Sequence, residues 1–156
     1  METVPSLILL GALALLLVAA CWYDLKSRTI PNGLNIAIAV LAIPFWWSVG
    51  LALWPDVAVQ LGVAALAFGL FAIAFAMGGM GGGDVKLIGA LALWLPFQAL
   101  ILLLFIMSVA GGLLTIALWL RHKLARRTER LEIPYGVAIA FSGLWLISER
   151  FLNQFG

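Results

Sequence analysis

Charged residues are so widely spaced in this chain that they divide it into five apolar runs, at residues 3–23, 29–55, 57–83, 87–120 and 133–148. A helix crossing a hydrocarbon layer of about 30 Å needs about 20 apolar residues, so each run is a candidate membrane span. The fourth is too long for one crossing. LWLPFQ at 93–98 interrupts it with a proline, which removes a helix donor, and a glutamine, which is expensive in lipid. A break near Pro96 gives six segments, the fourth of them short.

The charges between the runs set an orientation. Lys26 and Arg28 follow the first segment, and Arg121, Lys123, Arg126, Arg127 and Arg130 follow the fifth, whereas the turn at Asp56 has no base. Two basic loops separated by an even number of crossings lie on one side, which the positive-inside rule makes the cytoplasm. The N-terminus is then outside, and Lys86 joins the cytoplasmic side; only Arg150 falls on the other. The expectation is an all-α, polytopic membrane protein of six transmembrane segments, with residues 1–156 forming one integral membrane domain.

Composition agrees. Of the 156 residues, 65% are hydrophobic and 10% charged, against about 25% charged in an average soluble domain. With so little polar sequence, no soluble domain can be carved out, and no basic stripe with interleaved aromatics points to nucleic acid. Cys21 is the only cysteine, which excludes an internal disulfide and a Cys-based zinc cage. VAAC at 18–21 loosely resembles a lipoprotein cleavage box. The start METVPSL carries Glu2 and no base, unlike an export signal, so the first segment is expected to remain as a helix.

Trp54 and Trp94 fall near outer ends, and Trp22 and Trp119 near inner ends, as an interfacial aromatic belt requires. Trp46, Trp47 and Trp145 fit that belt less well and are expected to pack. Gly111, Gly112 and Gly143 are expected to allow close helix contact.

One stretch resists this scheme: GGMGGGDVK at 78–86 puts five glycines, an acid and a base into an otherwise apolar region. Outside Glu2 at the start and Glu129 and Glu132 in the basic loop, the acids are Asp24, Asp56, Asp84 and Glu149. Asp56 and Glu149 fall at outer ends. Asp24 and Asp84 fall at the cytoplasmic ends of the first and fourth segments, and an ionisable group at such a place is a candidate functional residue. Each also has a plain structural role available. Asp24 has Arg28 four residues on, and Asp84 could cap the fourth helix, where the helix dipole favours an acid. Asn32 could cap the second helix. Lys86, two positions from Asp84, would snorkel or reach a substrate.

Taken together, the two acids suggest chemistry. Two carboxylates close together in a cavity of low dielectric share a proton and titrate as a pair. One can then accept a proton from water while the other donates to a substrate carbonyl. Glycines beside one of them would let a peptide backbone approach closely.

These residues resemble a known family. GGGD at 81–84 fits the GxGD motif of intramembrane aspartyl proteases, and GGGDVK before the fourth segment resembles the type IV prepilin peptidases. Asp24 followed by Ile30, Pro31 and Asn32 looks like that family's partner motif, and IPYGVAIA at 133–140 resembles its last helix. The three motifs, in family order, cover nearly the whole chain.

The resemblance implies cleavage of the leader peptide from pilin-like precursors at the cytoplasmic face of the bacterial inner membrane, with Asp24 and Asp84 as the dyad. It implies no metal and no cofactor. Gly81, Gly83, Lys86, Pro31, Asn32, Pro134, Tyr135 and Gly136 are the residues it marks as substrate-binding or site-shaping. Plainer roles for three of these are that Pro134 begins the sixth helix, Gly136 allows helix contact and Tyr135 anchors at the interface. The basic loop at 121–130 would repel a basic leader and is expected to set topology and meet anionic lipid. His122, among these bases, is expected at the surface.

The larger, bifunctional relatives also methylate the new N-terminus and carry two Cys pairs in an additional cytoplasmic region. Here the first loop is short and Cys21 is alone, so methyl transfer is not expected. The compact form looks most like the peptidases of Flp or tight-adherence pili, with an archaeal preflagellin peptidase as a further possibility. The oligomeric state is not legible. A reading from another class is a proton or ion translocator using the two aspartates, and a third is a scaffold whose acids only pair with bases. The translocator would need polar groups across the membrane, and the outer halves offer little beyond Ser48, Gln60 and Gln98.

Overall fold

The computed structural model describes residues 4–124 and 133–155, and these are helical nearly throughout. Six helices follow in order: α1 (Val4–Ser27), α2 (Asn32–Ser48), α3 (Ala58–Ala76) entered through a short π-turn at Leu53–Val57, α4 (Gly82–Ala92), α5 (Phe97–Leu124) and α6 (Tyr135–Phe155). Glu2, Arg126, Arg127, Glu129, Arg130 and Glu132 lie outside the described residues, as does most of the basic loop on which the orientation partly rests.

The break near Pro96 is present, since α4 stops at Ala92 and α5 begins at Phe97. The third run ends earlier than hydropathy indicates. Helix α3 closes at Ala76, where the N–H of Gly78 donates to Phe75 and that of Gly79 to Ala74. Gly78 has φ of +75°, in the left-handed region, which makes this a glycine-terminated Schellman closure that apolar content alone does not announce.

Helix α4 is the central element. It packs against α2, α3 and α6, while α1 packs on α2 and α6, and α5 on α6. At 11 residues it is about 16 Å long, roughly half of what a 30 Å hydrocarbon layer demands. From Asp84 onward every residue of it except Lys86 is buried.

The long helices are apolar outside as well as inside. Leu15, Leu66, Leu70, Phe105 and Leu113 are exposed, whereas Ser6, Asp24, Asn35, Asp84 and Ser142 are buried. That inverts the soluble arrangement and requires an apolar surrounding. Among the described residues, Val4–Ser27, Leu53–Ala76 and Phe97–Leu124 are long and apolar enough to cross a membrane, and Asn32–Ser48 is a shorter apolar helix. The protein is a membrane protein.

The tryptophans divide differently from the expected belt. Trp22, Trp54 and Trp119 are exposed, but Trp94 is 3% exposed and its indole donates to the carbonyl of Ile38 at 2.8 Å. Trp46, which was expected only to pack, donates to the carbonyl of Leu93 at 2.8 Å. Of the three packing glycines, Gly143 lies hard against Leu17 and Gly111 faces Ala138 and Tyr135, but Gly112 faces open space.

Candidate active site

Asp24 lies in the last turn of α1 and is 4% exposed. The helix closes just beyond it, with the N–H of Arg28 returning to the carbonyl of Asp24 at 3.0 Å. Arg28 takes a φ of +55°, a left-handed conformation that costs a residue with a Cβ. This closure turns the chain into residues 28–31 and toward α2 within four residues.

The carboxylate of Asp24 points at the start of α6. The first N–H groups of a helix have no partner within it and attract negative charge. Here the N–H of Val137 donates to Asp24 Oδ2 at 3.1 Å. Gly136 makes that approach possible: a Cβ there would lie 2.8 Å from Asp24 Cγ and 2.9 Å from Ile30 Cδ1. Its part is therefore more specific than general helix contact.

Asp84 is 9% exposed and is the third residue of α4, so the expected N-cap role is corrected: Gly81 is the N-cap residue. Asp84 instead turns back toward Gly81, whose backbone N–H faces its carboxylate, in the manner of the acid in a capping box. A Cβ on Gly81 would stand 2.9 Å from Asp84 Oδ2. Both acids thus sit at the N-terminal end of a helix, Asp84 at its own and Asp24 at that of α6. They are close enough to repel each other electrostatically.

A cavity of about 490 Å³ joins them, lined by Asp24, Asp84, Arg28, Gly81 and Tyr135 among others. Its walls come from the end of α1, the glycine turn, the start of α4 and the approach to α6. Paired carboxylates, one cation and backbone free of side chains suit binding an extended peptide and moving protons to and from it.

The other residues marked by sequence take different places. Pro31 precedes α2 as its N-cap residue, Asn32 is the first helical residue, and no side-chain cap is formed, which corrects the capping role given to Asn32. Its Oδ1 accepts instead from Lys86 Nζ at 2.8 Å. Asn32 and Lys86 line a second cavity, of about 560 Å³, between α2, α3 and α4, and not the one holding the acids. Gly83 packs under Ile30, where a Cβ would meet Ile30 Cβ and N at 3.3 Å. Pro134 is buried immediately before α6.

Sequence reasoning missed Asn35, which is 5% exposed and donates through Nδ2 to the carbonyl of Gly83 at 3.3 Å. A polar residue one turn beyond Asn32 inside an apolar run was the available signal. Arg28, read from sequence as a topology-setting base and a partner for Asp24, lines the cavity itself.

With this geometry in hand, the comparisons with known proteins are specific. The model of the type IV leader peptidase family matches residues 11–116. A prepilin leader peptidase/N-methyltransferase of Aeromonas hydrophila is 31% identical over 153 residues, covering 94% of this chain and 51% of that protein. One of Neisseria gonorrhoeae is 30% identical over 150 residues, covering 91% and 49%. The chain spans about half the length of these curated relatives. No solved structure matches it.

Proposed function

The chain belongs to the type IV leader peptidase family, and on that premise we propose that it is an aspartic endopeptidase that removes the leader from pilin-like precursors. The observation that carries this reading is the meeting of two buried acids, Asp24 and Asp84, on one cavity between helix ends. In the proposed reaction one carboxylate removes a proton from water as its oxygen adds to the scissile carbonyl carbon. The other, protonated, donates to the carbonyl oxygen. Collapse of the tetrahedral adduct breaks the C–N bond, and the leaving amine takes a proton from the dyad.

Gly81 and Tyr135 line the same cavity and would shape the peptide's path. Gly83 and Gly136 act from behind the acids, and Pro31 and Pro134 fix where α2 and α6 begin. Lys86 and Asn32, being paired with each other, are assigned to shaping α4 rather than to holding substrate.

We read the chain as a multi-pass protein of the bacterial inner membrane with six segments and its N-terminus outside. The ends of α1, α3 and α5 and the starts of α2, α4 and α6 then face the cytoplasm, and the cavity opens there. Lys26, Arg28 and Lys86 at those ends support this orientation. A Flp-type pilin precursor is the substrate favoured. No methyl transfer is proposed, because four residues connect α1 to α2 and Cys21 is the only cysteine in the chain. The translocator reading is not favoured, because Gln60 and Asn35 donate to backbone carbonyls rather than forming a relay with the acids.

The test is cleavage of a co-expressed Flp-type prepilin by the wild type and by Asp84→Asn, read as a mobility shift. A shift with the wild type alone is the expected result. Equal processing by the variant would overturn the dyad, and intact precursors across a panel of pilins and flagellins would overturn the peptidase.

A further inference from the structure

The first turn of α4 carries Asp84 yet begins with Gly82 and Gly83, which bring no side chains of their own to fix it. Neighbouring groups hold this turn. Ile30 lies over Gly83, and two asparagines reach it from α2. Asn32 and Asn35 are three residues apart and so share a helix face. Asn32 Oδ1 accepts from Lys86 Nζ at 2.8 Å, and Asn35 Nδ2 donates to the Gly83 carbonyl at 3.3 Å. The two contacts bracket Asp84 along the chain, one just before it and one just after.

We propose that Asn35 is a positioning residue for Asp84, acting through the Gly83 carbonyl and, with the Asn32–Lys86 bond, clasping the first turn of α4 to α2. This deepens the peptidase reading and rests on it for its catalytic consequence. Packing alone does not account for the side chain. Asn35 is buried and its Oδ1 finds no partner among the described residues, a cost that an apolar residue of similar size would avoid. The donor on the other half of the amide is what such a residue could not supply. The Gly83 carbonyl belongs to the peptide that joins Gly83 to Asp84, so a shift there passes directly to the carboxylate.

Asn35→Asp keeps the shape and exchanges the amide donor for a carboxyl, and Asn35→Leu removes both polar atoms. The full chain and both variants are compared for cleavage kinetics on a prepilin and for amide hydrogen exchange. Misplacement of a reacting group by about 1 Å costs about 100-fold, so kcat should fall about 10- to 100-fold. KM should stay within about threefold, since the peptide's own contacts are untouched. Exchange should rise across residues 80–88 and stay unchanged across 137–147. Wild-type kcat in both variants, or unchanged exchange at 80–88, would overturn the clasp. Should Asn35→Leu loosen the whole protein, the exchange of residues 80–88 in the near-isosteric Asn35→Asp decides, because its added acid acts on the kinetics by itself. If the wild type cleaves no precursor, the peptidase reading falls, and the exchange comparison still settles whether the clasp holds α4.

Discussion

Nε2 of Gln60 lies 2.6 Å from the carbonyl oxygen of Ala92, and the same nitrogen lies 2.6 Å from that of Leu95. The last carbonyls of a helix lack partners within it, and α4 ends among other helices rather than in water. One side-chain amide on α3 therefore serves the last carbonyl of α4 and that of Leu95 in the link to α5, and the indole of Trp46 serves the C-cap carbonyl of Leu93. Gln60→Leu is expected to destabilise the protein by about 1–3 kcal/mol, the penalty for stranding buried polar groups. A lower Tm in detergent would show it. An unchanged Tm would mean that the carbonyls find other donors.

Asp24→Asn and Asp84→Asn are each expected to abolish leader cleavage, with residual rates at least about 10³-fold down. On the proposed mechanism the two acids act as one unit, so the double variant should be no worse than either single one. Precursor processing followed over time on a gel distinguishes this from two additive effects. Appreciable cleavage by either single variant would remove it from the dyad.

Two glycines give a matched contrast. A Cβ on Gly136 would enter the space of the Asp24 carboxylate, whereas one on Gly112 meets nothing within 4 Å. Gly136→Ala should lower kcat by at least about tenfold through displacement of Asp24 and cost about 1–3 kcal/mol from overpacking. Gly112→Ala should leave cleavage unchanged and stabilise α5 by up to about 1 kcal/mol. Melting curves and kinetics on both variants check the pair. Equal behaviour would mean that Asp24 can move aside without consequence.

The left-handed backbone of Arg28 predicts an effect of opposite sign. Glycine adopts φ of +55° without the Cβ penalty, so Arg28→Gly should raise stability by about 1 kcal/mol, whereas Arg28→Ala should not. A higher Tm for the glycine variant alone is the expected result. No difference between the two would mean that the closure of α1 is not strained by its side chain.

How much of this was legible in the sequence depends on what kind of interaction sets each feature. The number of helices and the break before Phe97 are written in hydropathy and in Pro96, both local signals. Asp24 and Asp84 stood out because a charge in an apolar run is conspicuous wherever it is, whereas Gly136 was marked only by the resemblance of IPYGVAIA to the family's last helix. Features that depend on a distant carbonyl were hidden. Nothing near Gln60 indicates that α4 ends beside it, and nothing near Trp94 indicates that Ile38 offers an acceptor. Asn32 looked like a cap because capping is the local use of asparagine; its actual partner, Lys86, is 54 residues away. The end of α3 was misplaced because hydropathy averages across a turn in which only Gly78 adopts an unusual φ.

The hydrogen bond from Val137 to Asp24 joins residues 113 apart in the chain. Ribosomes add about 5–20 residues per second, so roughly 6 to 23 seconds separate the synthesis of the acid from that of its backbone donor. Asp84 is also made before α6. A nascent chain therefore holds both carboxylates in the membrane well before the wall that orients one of them exists. Arrest or truncation between Asp84 and Val137 leaves a chain with both acids and an unfinished site, so α6 is the helix that completes it.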